Sequence, residues 1–160
     1  MGDAEGGILP SLQKIDLTKS AKYSIDDWHK SHPSERLNLS GKDLSGLDLS
    51  GWDFTRAIFD GSDLSQCKLV GTIFSEASLK RTNLTGAVMT QAILHRANCS
   101  DVTIVDVKLD GANMYRCILK GADISGTTFK AAHVLKVMWP EISNSGDLRG
   151  RGVISPIIDL

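Results

Sequence analysis

The chain has 160 residues, enough for one domain with a well-buried core. Lys plus Arg number 18 and Asp plus Glu 19, a near-balance that argues against broad electrostatic capture of nucleic acid or an anionic membrane. No apolar run approaches the length of a membrane span, and Cys67, Cys99 and Cys117 contain no CxxC pair, so neither a disulfide framework nor a zinc knuckle is indicated.

Residues 1–36 read as an N-terminal segment of its own. It lacks a basic-then-apolar export signal, so a reducing cytoplasm is the expected compartment, with a removed presequence left open. The stretch SIDDW, Ser24 to Trp28, places an N-cap Ser three residues before Asp27, a capping-box-like start for a short helix that ends before Pro33. Ile8, Leu9, Leu12, Ile15 and Leu17 supply further apolar surface upstream.

From Leu37 a new pattern begins. LNLSGKDLSGLDLSGWDF sets Leu39, Leu44, Leu49 and Phe54 five residues apart, and the register continues through Phe59, Leu64, Leu69 and Phe74 to Phe129 and Val134. Twenty successive positions are apolar; at the 41% apolar background chance gives such a run with a probability on the order of 10⁻⁸. The residue two before each centre is small from Ala57 to Ala132, and the residue two after is often Gly. On a helix, steps of five turn by roughly 140° and scatter the centres around every side. On a flat strand an odd interval sends successive centres to opposite faces. A chain that bends by about a right angle at each quintet instead points every centre at one axis. Four quintets then close a square coil, and coils stack by backbone pairing at roughly 4.8 Å. Gly suits the corners, where positive φ is cheap.

The repeat is expected over 37–136, leaving 137–160 as a C-terminal cap or tail. KAAHVLKVMW, Lys130 to Trp139, suits either a further coil or a helix, and Pro140 stops both. GVISPIIDL, Gly152 to Leu160, is apolar for an exposed tail.

TNLTG at Thr82–Gly86, GANM at Gly111–Met114 and ADIS at Ala122–Ser125 resemble the A(D/N)Lxx units of pentapeptide-repeat proteins. The resemblance spans about Leu37 to Lys136 and implies an all-β fold, a right-handed quadrilateral β-helix; the handedness comes from the resemblance alone. Five coils would make a rod about 20–25 Å tall. A solenoid needs its apolar ends covered. Leu37, Leu47 and Trp52 are large where small residues are the rule, and are expected to meet the N-terminal cap. At the other end, the tail either folds over its own last coil or forms a homodimer contact through Trp139, Val153, Ile154, Ile157 and Ile158, since some members of the family join through their C-terminal ends.

Folding the sequence onto four faces makes residues twenty apart neighbours. One column reads Thr55, Ser75, His95, Tyr115, Leu135; the next reads Arg56, Glu76, Arg96, Arg116, Lys136; a third reads Asp53, Ile73, Ile93, Asn113, His133. This basic ladder, with an aromatic and two Ile residues where the repeat favours Asp or Asn, marks Arg56, Ile73, Ile93, His95, Arg96, Tyr115, Arg116 and Lys136 as a candidate partner-binding face. The plainer reading lets the basic groups splay into water around Glu76. A second column, Asp43, Asp63, Asn83, Thr103 and Asp123, is acidic, and local turn hydrogen bonding accounts for it.

Catalytic chemistry finds no support. The sequence holds no GxxxxGK[ST], GxSxG or HExxH. His29 and His32 beside Asp26 and Asp27 mimic a metal site but fit a solvated cap helix better, and the three cysteines fall at interior positions where thiols are inert. An uninterrupted rod offers little concavity. No enzyme, cofactor or metal is expected. The resemblance instead implies one of several binding roles, among them DNA mimics that bind type II topoisomerases and protect them from quinolones, and regulatory partners. Mimicry needs a strongly acidic surface, which this chain lacks. The expectation is a non-catalytic module that binds a protein partner through a side face, with DNA mimicry and nucleic-acid binding by the basic column as alternatives.

Overall fold

The computed structural model describes residues 25, 29–30, 32–141, 148 and 150–151. Between Asn38 and Met138 the backbone makes parallel bridges in which every partner lies twenty residues on: Asn38 with Ile58, Asp43 with Asp63, Asp48 with Lys68, Asp53 with Ile73, and so upward. Four columns of bridges result, referred to below as faces one to four in that order. A residue that precedes each apolar centre makes the bridge and faces outward. The centre itself turns in, so Leu39, Leu44, Leu49, Phe54 and their successors are buried.

Each face closes on the level above by backbone bonds. On face four the Phe54 amide donates to the Ile73 carbonyl at 2.8 Å, and the Ile73 amide donates back to Trp52 at 2.8 Å. At each corner the residue two after the centre has positive φ, and the next amide usually donates back to the centre carbonyl, as Ala57 does to Phe54 at 3.0 Å. That is the signature of a type II turn. Nine corners hold Gly and eleven hold another residue in the same conformation.

The interior is filled by one large and one small side chain per quintet. Phe54, Phe59 and Phe74 pack together with centroids 5.0 to 5.7 Å apart. The threonine hydroxyls at the small positions are buried yet satisfied by the coil below: Thr72 donates to the Leu49 carbonyl and Thr82 to the Phe59 carbonyl, both at 2.8 Å. An orphaned hydroxyl there would cost about 1–3 kcal/mol. The Cys67 thiol likewise reaches the Leu44 carbonyl at 3.0 Å, and burial pushes its pKa up to about 11. Cys99 and Cys117 lie with sulfurs 3.8 Å apart, and their mutual contact and burial raise Cys99 well above an ordinary thiol. All three thiols are free and buried.

The ends depart from the repeat. Ile25, in a helical conformation, is buried in the same apolar cluster as Leu37 and Trp52, with Leu47 packed against it. Ser24, Asp26, Asp27, Trp28 and the apolar residues from Ile8 to Leu17 lie outside the described residues. Residues 130–138 continue the coil rather than forming a helix: Met138 bridges Ile118, two residues past the expected boundary. Trp139 is partly buried and meets its own Phe129 edge-on at 5.4 Å. The Phe129 amide donates to the Arg151 carbonyl at 2.9 Å, the Arg151 guanidinium donates to the Ile124 carbonyl, and Leu148 is buried in the core. Val153, Ile154, Ile157 and Ile158 lie outside the described residues.

Candidate functional site

The side-chain oxygens of Asp and Asn on the faces are mostly committed to their own turns. Asp43, Asp63 and Asp123 accept from the amides of Ser45, Ser65 and Ser125 at 2.8 to 3.0 Å, and Asn83 accepts from Thr85 at 3.1 Å. Ser125 also donates its hydroxyl to Asp123 at 2.6 Å; this bond, then the amide, holds the Asp123 carboxyl below its usual range. The acidic column on face two is thus explained locally. On face four Asp53 and Asn113 do the same for Thr55 and Tyr115, at 2.9 and 3.1 Å. Ile73 and Ile93, half-buried, have no oxygen with which to do so.

The basic ladder occupies the corner between face four and face one. Arg56, Glu76, Arg96, Arg116 and Lys136 all have φ between 56° and 62° and all are exposed. Their amides hold the rungs together, for example Arg96 to the Tyr115 carbonyl at 2.9 Å and Arg116 to Leu135 at 3.1 Å. The other three corners each carry Gly at three of five levels: Gly41, Gly61 and Gly121; Gly46, Gly86 and Gly126; Gly51, Gly71 and Gly111. The fourth has none. A left-handed non-Gly residue costs roughly 1 kcal/mol or more, so this corner carries several kcal/mol that Gly would have relieved. Local turn chemistry gives no reason for that choice.

Charge and aromatic groups converge at the upper rungs. The Arg96 guanidinium is 3.6 Å from the Glu76 carboxylate, with both side chains about half exposed (50% and 49%), so the pair contributes little stability. Arg116 and Lys136 make no ion pair among the described residues. Tyr115 stacks on His95, with centroids 5.5 Å apart and planes 10° from parallel, and on its other side meets His133 at 6.1 Å and 28°. The Arg116 guanidinium carbon sits 5.2 Å from the Tyr115 centroid, within cation–π range. Leu135 and Met138 flank Lys136 along the chain, 38% and 54% exposed.

Of the residues expected at this site, His95, Arg96, Tyr115, Arg116 and Lys136 come together on one edge. Arg56 lies at its lower end, and Ile73 and Ile93 line the adjoining face. Three participants are absent from that selection. Arg36, twenty residues before Arg56, extends the ladder downward and donates from Nε to the Arg56 carbonyl at 2.6 Å. His133 closes the stack from the bridging column rather than from the column of His95 and Tyr115. Met138 enters because the ladder is a corner shared with face one. The same twenty-residue step reaches all three, Arg36 one level below Arg56, His133 one level above Asn113 and Met138 one level above Ile118.

Near the lower end, His29, Lys30, Pro33, Glu35, Asp53, Thr55 and Arg56 line an open depression of about 460 Å³, and His29 Nε2 lies 3.3 Å from the Asp53 carbonyl. Among the described residues no three His, Cys, Asp or Glu side chains converge to hold a metal ion, and no helix is long and apolar enough to cross a membrane. The corner presents exposed charged side chains on a backbone fixed by the coil.

Comparison with known proteins places this geometry. The family described as pentapeptide repeats matches in eight copies over residues 36–71, 72–111 and 97–133. Among solved structures, a pentapeptide repeat protein of the Arabidopsis thaliana thylakoid lumen is 27% identical, with a TM-score of 0.54 over 76% of this chain and 85% of that one. HetL, a pentapeptide repeat protein involved in heterocyst differentiation regulation in the cyanobacterium Nostoc sp. strain PCC 7120, is 24% identical over 66% of this chain and 48% of its own, with a TM-score of 0.43. The plasmid-mediated fluoroquinolone resistance protein QnrB1 is 20% identical over 75% and 90%, with a TM-score of 0.35. A search of curated proteins returned no match.

Proposed function

Since the chain belongs to the pentapeptide-repeat family, we propose that it is a non-catalytic interaction module that binds a protein partner along the corner between faces four and one. The observation that carries this reading is the composition of that corner. Five charged residues hold a left-handed conformation with no Gly among them, beside a stacked His95–Tyr115–His133 platform. A rigid backbone spares the backbone part of the ordering cost of binding, and Arg and Tyr carry much of the energy of protein interfaces. The chain is balanced in charge overall, so the cations act as a local site rather than as a polyelectrolyte surface.

The test is affinity capture from the native host, with the unaltered protein set beside the double variant Arg96→Glu, Arg116→Glu. Both positions are exposed, so reversal should leave the coil intact, as a circular dichroism spectrum would register. Loss of a partner from the variant supports the corner; a partner retained in full by it sinks the proposal. Potent inhibition of gyrase supercoiling by the protein would instead favour DNA mimicry.

A further inference from the structure

Resting on the reading of this corner as the binding edge, the spacing of its rungs restricts what can lie along it. Successive rungs are one coil apart, about 4.8 Å by backbone pairing, so Arg96 to Lys136 covers roughly 9.6 Å. An α-helix returns the same face every 5.4 Å, or about 10.8 Å over two turns. An extended strand returns one face about every 6.8 Å, or roughly 13.6 Å over the same two steps. A helix with one carboxylate per turn therefore stays within about 1 Å of the ladder over three rungs, which flexible Arg and Lys side chains absorb. A strand runs out of register by about 4 Å.

The electrostatics agree. Glu76 answers Arg96, whereas Arg116 and Lys136 have no carboxylate among the described residues. The Tyr115 ring, stacked against His95 and His133, has the Arg116 guanidinium 5.2 Å from its centroid, and Arg116 is exposed. Leu135 and Met138 are two of the three exposed large apolar side chains among the described residues, and both lie at the Lys136 end. We propose that this corner docks an acidic α-helix of a partner protein, its carboxylates recurring once per turn against Arg96, Arg116 and Lys136, with an apolar side chain at one end set between Leu135 and Met138.

The experiment uses fluorescence anisotropy with the full chain and three probes at about 0.15 M salt. The first is an Ala-rich helical peptide of roughly 18 residues with Glu at i, i+4 and i+7 and Leu one turn on. The second keeps the same length and charge but sets the Glu residues consecutively and replaces one central Ala by Pro. The third is a single-stranded oligonucleotide of equal charge. The first should bind at least about tenfold tighter than the second, lose about tenfold or more with Arg116→Glu plus Lys136→Glu, and weaken about threefold with Met138→Ser. Equal binding of the two peptides overturns the helix. Tighter binding of the oligonucleotide overturns it in favour of nucleic acid. If no peptide binds while charge reversal still abolishes capture of the native partner, the helix fails and the corner stands; if capture survives reversal, the corner fails with it.

Discussion

Two opposite corners of the same coil solve the stacking of side chains differently. The corner between faces two and three alternates Gly46, Gln66, Gly86, Asp106 and Gly126. There the side chain of one level lies over the Gly of the next: a Cβ at Gly86 would overlap Gln66, and one at Gly126 would overlap Asp106. The missing Cβ is thus filled from below, and the polar group folds flat against the rod. The corner between faces four and one stacks long over long, from Arg56 to Lys136. No vacancy receives those side chains, so they stand out into solvent, where a partner can reach them. A corner that closes on itself is architecture; one that cannot is available for contact.

The largest effect should come from removing what both corners rest on. Phe54 is fully buried against Phe59 and Phe74, so Phe54→Ala is expected to cost about 3–5 kcal/mol in urea unfolding. Because neighbouring coils share the core, both corners should lose protection from hydrogen exchange together; persistence of one alone would break the picture of a common interior.

Next in size is an exchange between the corners. Gly126→Ala places a Cβ at φ 68° against Asp106 and should cost about 1–2 kcal/mol. The reverse change, Arg116→Gly at φ 57°, relieves the same strain and should leave stability unchanged or raise it by up to about 1 kcal/mol, while weakening partner binding. A stability loss at Arg116→Gly as large as that at Gly126→Ala would mean that the ladder serves the coil rather than a partner.

Much of this was legible because the period of five leaves the chain few options. Twenty apolar centres allow only an inward-pointing coil, and the step of twenty then assigns Arg56, Glu76, Arg96, Arg116 and Lys136 to one column without coordinates. What stayed hidden were relations across that grid. His133 stands in the bridging column of face four, yet it reaches across the line of centres to stack on Tyr115. Residues 130–138 were ambiguous because Ala and Lys suit a helix as well as a coil, and the bridge from Met138 to Ile118 decides it through tertiary pairing. The lack of Gly at one corner was visible in the sequence, yet its weight appears only once all twenty corners share one positive φ.

The smallest prediction sharpens the contrast between a locally satisfied face and an open one. Asp123 on face two has its carboxyl lowered first by the Ser125 hydroxyl, then by the Ser125 amide, with Arg151 adding a weaker pull. A lowered folded pKa means that the folded state binds the proton less readily than the unfolded chain. Its stabilisation is therefore complete above the unfolded value, about 3.9, and fades as the pH falls through that value toward the lower folded one. Ser125→Ala should cost only a few tenths of a kcal/mol near neutral pH, since both residues are exposed, and the cost should be smaller at an acid pH well below about 3.9. Urea midpoints at the two pH values would measure it. Ile73 and Ile93 carry no such pH-linked contact, so Ile73→Asp should install one with Ser75 and raise stability slightly at neutral pH. If it does, the Ile residues are not there for the coil's sake, and their place beside the ladder is better explained by what docks there. If it destabilises, half-burial against the rod is their purpose and the contact surface narrows to the corner itself.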